Sequence, residues 1–169
     1  MHRFRHKSFT FLTLITVGLA AATAALAWTT GYLYPIEDDL RTNWNVEPRT
    51  SPTHYETIDE EPCNGTSDYI YSLDPASQET FKIDLSGVPV GAQITAINVA
   101  PCAGRHDAGT TASYLRLYYK WNGADSDYGP TYTLTDPTPQ MMATSTFETL
   151  LNHSDSSDEL RIGVNHENG

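Results

Sequence analysis

The residues with the most evident binding chemistry are tyrosines in one stretch of the chain. Tyr114, Tyr118, Tyr128 and Tyr132 lie within about twenty residues of one another. Sugar-binding proteins stack a pyranose ring on exposed aromatic side chains and fix its hydroxyl groups with nearby polar groups. We therefore treat these four residues as a candidate glycan platform. Half-buried packing within the fold is the simpler interpretation of each ring.

Two acidic segments supply the hard oxygen ligands that Ca²⁺ prefers. The first contains Asp125 and Asp127, and the second contains Asp155 and Asp158. Neither segment follows the spacing of a complete calcium loop, so solvated turns are the simpler interpretation. We expect no cofactor, with Ca²⁺ as the one ion that these loops would suit.

The sequence contains no recognisable catalytic motif. Gly-x-Ser-x-Gly, His-Glu-x-x-His, a P-loop and a dinucleotide-binding fingerprint are all missing. A glycosidase needs only two carboxyl groups at a fixed separation, but nothing singles out such a pair among the 21 acidic residues. We therefore expect a protein that is not an enzyme. We interpret the scattered histidines beyond residue 30 as surface polarity, and these are His54, His106, His153 and His166.

The first 27 residues have the pattern of a secretory signal. Three basic residues between positions 3 and 7 precede an uncharged apolar run that ends in Ala25-Leu26-Ala27, a small-x-small cleavage site. An uncleaved anchor is the alternative, since residues 9–28 approach the length that spans a bilayer. In both cases the positive-inside rule places the rest of the chain outside the cytoplasm. We expect a secreted or cell-surface protein with no other membrane contact.

Charge narrows the choice of partner. The chain has 10 Lys and Arg against 21 Asp and Glu, and without the three basic residues of the signal the balance is 7 against 21, a net charge of -14. Such a surface repels polyanions, so nucleic acid is not expected as a partner. A glycan or another surface protein remains open.

The two cysteines, Cys63 and Cys102, are the only ones in the chain. Export permits a disulfide, and neither a CxxC spacing nor a histidine pair accompanies them as a metal site would require. We therefore predict a structural disulfide between them.

Short β-prone segments separated by Gly, Pro and Asp turns fill the chain beyond residue 54. The clearest is residues 113–121, followed by the hairpin dipeptide Asn122-Gly123. Alternate side chains of that strand should face the core, namely Leu115, Leu117, Tyr119 and Trp121. The others should face solvent or a sheet edge, namely Tyr114, Arg116, Tyr118 and Lys120.

No amphipathic helix interrupts these segments, so we predict an all-β fold, a two-sheet antiparallel β-sandwich preceded by the N-terminal signal or anchor helix. Residues 1–27 form the signal or anchor, 28–54 an extended linker or strap, and 55–169 the sandwich domain. The hairpin dipeptide Asn168-Gly169 has no return strand after it. We therefore expect the domain to lack its last strand, through a truncated reading frame or because a partner supplies the strand.

The order of these segments resembles a known module. Ile94-Thr-Ala-Ile-Asn-Val99 follows the turn Pro89-Val-Gly91, and Leu160-Arg-Ile-Gly-Val164 forms a late strand. This arrangement is similar to the jelly-roll-like modules of secreted bacterial surface proteins and of phage structural or tail-fibre proteins. The resemblance covers about residues 55–169, and it implies no catalytic residues.

Two functional classes therefore remain. The first is a non-catalytic secreted or cell-surface β-sandwich with a structural or adhesive role, in which glycan binding is the specific form. The alternative is an extracellular hydrolase that acts on polysaccharide, or the accessory domain of one. A hydrolase requires a concave cleft with two facing carboxylates, whereas an adhesive module does not.

Overall fold

A computed structural model describes residues 31, 33–39, 44–47, 53–58, 63, 69–105 and 112–167. Within these ranges strands predominate, which confirms the prediction of an all-β chain, and a 3₁₀ helix spans Tyr55–Thr57. No helix in them has the length and apolar content needed to cross a bilayer. The signal or anchor expected at residues 1–27 lies outside the described residues. The strands are β1 (Pro35–Asp38), β2 (Asn45–Glu47), β3 (Tyr69–Tyr71), β4 (Gln78–Ile83), β5 (Gln93–Val99), β6 (Cys102–Ala103), β7 (Ser113–Trp121), β8 (Ala124–Leu134), β9 (Gln140–Met141), β10 (Ser145–Asn152) and β11 (Leu160–Glu167).

The largest sheet has five antiparallel strands in the order β1-β4-β11-β7-β8. The late strand β11 lies between β4 and β7 and pairs with both along most of its length. Strand β1, which comes from the segment expected as linker or strap, runs along β4 at one end of the strand order. Three antiparallel pairs complete the described strands: β5 with β10, β2 with β3, and β6 with β9.

One face of the five-stranded sheet carries the core. The predicted alternation in β7 is confirmed on this side, because Leu115, Leu117 and Tyr119 are buried. The same core cluster includes Ile97 of β5 and Phe147 of β10. The ring of Tyr119 meets that of Phe147 edge-on, with 5.4 Å between the ring centres. The β5–β10 pair and the large sheet therefore share a single hydrophobic core.

Local turn and bulge signals correspond to irregularities in the pairing. Asn122 and Gly123 have φ angles of 49° and 78° and join β7 to β8 as a tight hairpin, as predicted. In the β5–β10 pair the register shifts between Glu148 and Leu151, so β10 carries one residue more than β5 across this interval. This bulge accompanies the inward placement of both Ile94 and Ile97, whose spacing of three does not fit a regular strand.

The opposite face of the large sheet, which we call the polar face, is more covered than the sequence predicts. We expected Tyr118 and Lys120 of β7 to face solvent or a sheet edge, yet they are only 2% and 6% exposed. The register places Gly163 of β11 between Tyr118 and Thr80 of β4. Because Gly163 has no side chain, the Tyr118 ring lies across β11, and its hydroxyl shares a hydrogen bond of 3.0 Å with Thr80 Oγ1. The expectation for Tyr118 was therefore wrong, since the neighbouring strand leaves a space that its ring fills.

The predicted disulfide between Cys63 and Cys102 is confirmed, with 5.5 Å between the two Cα atoms. It attaches residue 63 to β6, which pairs with β9. The bond closes a loop across a sequence separation of 39 residues. It therefore constrains a long stretch of the unfolded chain.

Replacing both cysteines with serine should lower the free energy of unfolding by about 3–4 kcal/mol, as the chain-entropy model gives for a loop of this length. The measurement is urea unfolding of the double variant beside the unaltered chain with and without reductant. Reduction of the unaltered protein should produce the same loss, and it should not affect the serine variant. An unchanged unfolding midpoint in both experiments would contradict this role.

The Gly163→Ala substitution should destabilise the sheet by about 1–3 kcal/mol, a typical cost of overpacking. A Cβ at this position would lie 2.2 Å from Cζ of the Tyr118 ring. In a Tyr118→Ala background the same substitution should cost much less, because the obstructing ring is gone. Gly87→Ala is the matched control, since nothing lies within 4 Å of its Cβ position. Additive costs for Gly163 and Tyr118 in denaturant unfolding would show that the two residues do not meet.

Candidate ligand-binding surface

Strand β8 positions the exposed tyrosine of the candidate platform. The register between β8 and β7 shifts at two bulges. As a result, Tyr128 lies opposite Tyr118 while Tyr132 lies opposite Leu115. The first of these bulges includes Gly129-Pro130, where proline has no N–H for the ladder. In a regular strand, residues 128 and 132 would share a face. Here the extra residue turns Tyr128 to the polar face and Tyr132 to the core.

The Tyr128 ring forms a small platform with its neighbours. It is 45% exposed and contacts the buried Tyr118 ring, with 5.3 Å between the ring centres. The Arg116 guanidinium carbon lies 4.9 Å from the Tyr128 ring centre, within the range of a cation–π contact. Arg116 Nε also donates a hydrogen bond of 2.9 Å to the carbonyl oxygen of Gly129, at the bulge. The exposed Tyr128 ring is therefore held in place by contacts with Tyr118 and Arg116.

Polar groups surround this platform. Thr131 Oγ1 donates a hydrogen bond of 2.9 Å to Glu167 Oε2, and Arg116 Nη1 lies 3.4 Å from Glu167 Oε1. Tyr114, the half-buried first tyrosine of the predicted set, lies on β7 opposite Glu167 in the register. A carboxylate, a guanidinium and a hydroxyl thus accompany an exposed aromatic ring, which is the composition of a sugar-binding surface. We call Tyr128, Arg116, Thr131 and Glu167 the Tyr128 surface.

Tyr132 does not belong to this surface. It is 8% exposed within the core, and its hydroxyl donates a hydrogen bond of 2.7 Å to the carbonyl oxygen of Ala143. Ser145 Oγ lies 2.6 Å from the same hydroxyl oxygen. The structure therefore brings three of the four predicted tyrosines to one face and separates Tyr132 from them.

Two further cations of the polar face, Lys82 and Arg161, are held by carboxylates. Glu159 lies 2.9 Å from Lys82 Nζ and 3.0 Å from Arg161 Nη2, between the two positive groups. The hydrogen bond that Lys82 Nζ donates to Glu159 raises the pKa of Lys82 and lowers the pKa of Glu159. The face concentrates basic side chains in an otherwise acidic chain, namely Lys82, Arg116, Lys120 and Arg161.

The acidic loop before β11 uses its carboxylates internally. Asp158 Oδ2 accepts hydrogen bonds from the backbone N–H of Ser154 and Asp155, and its Oδ1 accepts one from Asn122 Nδ2. Asp155 Oδ1 accepts both the backbone N–H and the hydroxyl of Ser157. The two candidate calcium ligands of this loop therefore act as turn caps. The side chains of Asp125 and Asp127 lie outside the described residues, and no group of three or more His, Cys, Asp or Glu side chains suited to a metal ion occurs among those that are described.

A pair that sequence reasoning missed lies near β1 and β4, on the far side of the strand order from β8. Glu79 of β4 is fully buried, and its Oε1 lies 3.2 Å from His54 Nδ1. Asp38, at the end of β1, accepts the backbone N–H groups of His54 and Tyr55 at 2.9 and 2.7 Å. The interpretation of the histidines as surface polarity is wrong here, and also for His153, which is 4% exposed. No local pattern reveals the His54–Glu79 pair, because its members are 25 residues apart.

No known protein family, curated protein or solved structure matches this chain. Its function must therefore be argued from the chemistry of its own surfaces. Two shallow, open depressions are available besides the Tyr128 surface. One of about 540 Å³ is lined by Thr95 and Glu148–Leu150, and another of about 450 Å³ by Trp44–Val46 and His54.

Protonation of Asp158 should weaken the fold at low pH. Its hydrogen bonds, first the one from Asn122, lower its pKa from 3.8 to about 2. A carboxyl group whose pKa is depressed by folding contributes its full stabilisation above the unfolded-state pKa, and this contribution disappears as pH falls through the folded-state pKa. The urea concentration at the unfolding midpoint should therefore decrease as the pH is lowered from about 4 to about 2. The Asp158→Asn substitution should flatten this dependence. Asp74→Asn, at an exposed position, is the control. If the urea midpoint of the Asp158 variant decreases with acid as steeply as that of the unaltered chain, Asp158 is not the group responsible.

Proposed function

We propose that this protein is a non-catalytic, secreted or cell-surface module that binds a glycan through the Tyr128 surface, in an adhesive role. The observation that carries the proposal is the exposed Tyr128 ring, supported by Tyr118 and Arg116. Aliphatic C–H groups of a pyranose stack on such a ring. Glu167 contacts Arg116 beside the ring and accepts a hydrogen bond from Thr131, and these two residues are the polar groups that we assign to the sugar hydroxyls.

The shape of the surface favours binding over hydrolysis. A glycosidase holds its sugar between two carboxyl groups about 5–10 Å apart across a cleft. Among the side chains that the structure describes, the Tyr128 surface offers one carboxylate, Glu167, which already contacts Thr131 and Arg116. Neither of the two open depressions is lined by a pair of carboxylates. An exposed aromatic ring backed by other side chains suits a glycan that stacks on it.

The proposed architecture is a jelly-roll-like sandwich in which the β5–β10 pair covers the core face of the large sheet. It is supported by the core cluster common to both and by two cross-links between them. Tyr119 of β7 donates its hydroxyl proton to Thr149 Oγ1 at 3.2 Å, and Tyr132 of β8 reaches Ser145 at the start of β10. In this arrangement the polar face lies outside, where a large ligand has access.

The proposed location outside the cytoplasm rests on two features. The first is the signal pattern of residues 1–27. The second is the Cys63–Cys102 disulfide, because structural disulfides persist in oxidising compartments. An acidic surface also keeps such a chain soluble.

The Tyr128→Ala substitution should weaken glycan binding by about tenfold or more, because it removes the stacking surface. The measurement is a glycan array probed with the full chain, followed by titration of the glycans that bind. Tyr34→Ala is the matched control, since Tyr34 is 42% exposed, close to the 45% of Tyr128, and lies apart from this surface just before β1.

The control variant should bind as the unaltered chain does. Circular dichroism of both variants should match that of the unaltered protein, because neither ring is part of the core. Absence of binding to any glycan, or equal binding by the Tyr128 variant, would rule out the proposed function.

A further inference from the structure

One sequence motif that the Tyr128 surface does not use lies at the end of β10. Asn152-His153-Ser154 matches Asn-x-Ser/Thr with a residue other than proline in the middle, which is the acceptor sequence for N-linked glycosylation. A second match, Asn64-Gly65-Thr66, lies outside the described residues. Because the motif is short, its structural context decides whether it is an attachment site.

The backbone of β10 directs the Asn152 side chain away from the core. Leu151 packs against the hydrophobic core and His153 is only 4% exposed, so the fold covers both neighbours of Asn152. Successive side chains of a strand point to opposite faces, and Asn152 is accordingly exposed, as is Ser154. The two residues that the motif specifies therefore lie on the surface. Only the middle residue, whose identity the motif leaves open, is buried.

The Asn152 amide contributes little to the fold. Its Oδ1 accepts a hydrogen bond of 3.4 Å from Nε2 of Gln93, its register partner on β5, in a contact exposed to solvent. No described residue accepts a hydrogen bond from Asn152 Nδ2, the atom that carries the sugar in an N-linked glycan. The next residue holds the chain instead, since the N–H of His153 donates to the Ala92 carbonyl oxygen at 2.9 Å. A bulky group on Nδ2 therefore extends into solvent without breaking the strand pairing.

We propose that Asn152 is an N-glycosylation site and that the exported protein carries an oligosaccharide on this residue. The proposal rests on the location outside the cytoplasm that forms part of the proposed function, because this modification is made on exported chains. It adds a covalently attached sugar to a protein that also binds sugars from outside. The attachment site and the Tyr128 surface share no residue.

The transfer requires an activated donor, which is an oligosaccharide joined through a phosphate ester to a lipid. Asn152 Nδ2 forms a bond to the anomeric carbon of the first sugar, and the bond between that carbon and the phosphate oxygen breaks. The lipid phosphate leaves with the electron pair and takes up the proton that the amide loses. In the folded chain Ser154 Oγ donates a hydrogen bond of 3.1 Å to Asp158 Oδ2. Since the motif requires this hydroxyl, the transfer precedes closure of the loop.

The attachment site is separate in space from the Tyr128 surface. A Cβ at Gly129, next to Tyr128, would lie 3.1 Å from the Phe147 ring near the start of β10. Asn152 is the last residue of this strand, and at about 3.3 Å per residue it lies roughly 16 Å beyond Phe147. The two sites can therefore be tested independently.

The test is mass spectrometry of the protein purified from the medium or the cell surface of the organism that produces it. Trypsin separates the two motifs, because Asn152 lies in the peptide Trp121–Arg161 and Asn64 lies in the peptide Thr50–Lys82. The first peptide should carry an added mass that fragmentation releases as hexose or hexosamine ions. Fragments that retain the modification should place it on Asn152.

Three variants test the motif itself. Asn152→Gln should abolish the modification because it removes the acceptor, and Ser154→Ala should abolish it because it removes the required hydroxyl. Ser154→Thr should retain it. Asn98→Gln is the matched control, since Asn98 is also exposed on the β5–β10 pair but is followed two positions later by Ala100. This variant should be modified at Asn152 as the unaltered chain is.

An unmodified Trp121–Arg161 peptide in the exported protein would overturn the proposal. A sugar on this peptide that persists in the Asn152→Gln or the Ser154→Ala variant would overturn it as well. A chain found only in the cytoplasm would overturn it together with the proposed location. Failure of the Tyr128 surface appears on the glycan array and not in the peptide masses, so the two proposals are judged separately.

Discussion

The organisation of the large sheet depends on the crossing of the Tyr118 ring over Gly163. Strand β11 is hydrogen-bonded on both sides, so its neighbours cannot shift to make room for a side chain at this point. The ring covers the backbone of β11 and completes the hydrogen bonding of Thr80, whose side chain is fully buried. A buried hydroxyl without a partner would be costly. One missing Cβ therefore permits a polar layer on a face that the sequence assigns to solvent.

The alternation of buried and exposed side chains along a single strand was predictable, because successive side chains point to opposite faces of the sheet. The apolar set of β7 and the Asn122-Gly123 hairpin follow directly from the sequence. The placement of Tyr128 and Tyr132 on different faces does not, because it requires a bulge that a period of two cannot represent. Gly129-Pro130 was the available signal for it, since proline interrupts a ladder and glycine tolerates a bulge.

Other features depend on contacts between segments that are distant along the chain. The His54–Glu79 pair and the burial of Lys120 have no local signature, and both follow from the order in which strands assemble. The Asp158 cap shows a different limit of composition. An aspartate in a serine-rich turn has the composition of a calcium loop, but here backbone N–H groups of the same turn donate to Oδ2 of Asp158, and the Asn122 amide donates to its Oδ1. Composition indicates the ligand atoms, whereas only geometry shows whether they are free.

The polar face and the depression by Trp44 use charge in different ways. On the polar face, carboxylates and cations neutralise one another beside an exposed ring, as Glu167 does for Arg116. Beside the depression, the buried carboxylate of Glu79 lies 3.2 Å from the imidazole Nδ1 of His54.

The central place of β11 also dictates the order of assembly. Strands β4 and β7 are about thirty residues apart in sequence, yet they are joined through a strand that begins only at Leu160. The β7–β8 hairpin can form as soon as it is synthesised, but β4 must wait with an open edge until β11 arrives. Such non-local closure slows folding and leaves unpaired strands accessible to other chains. In a nascent chain, this edge of β4 therefore stays open to pairing with other chains until β11 has been made.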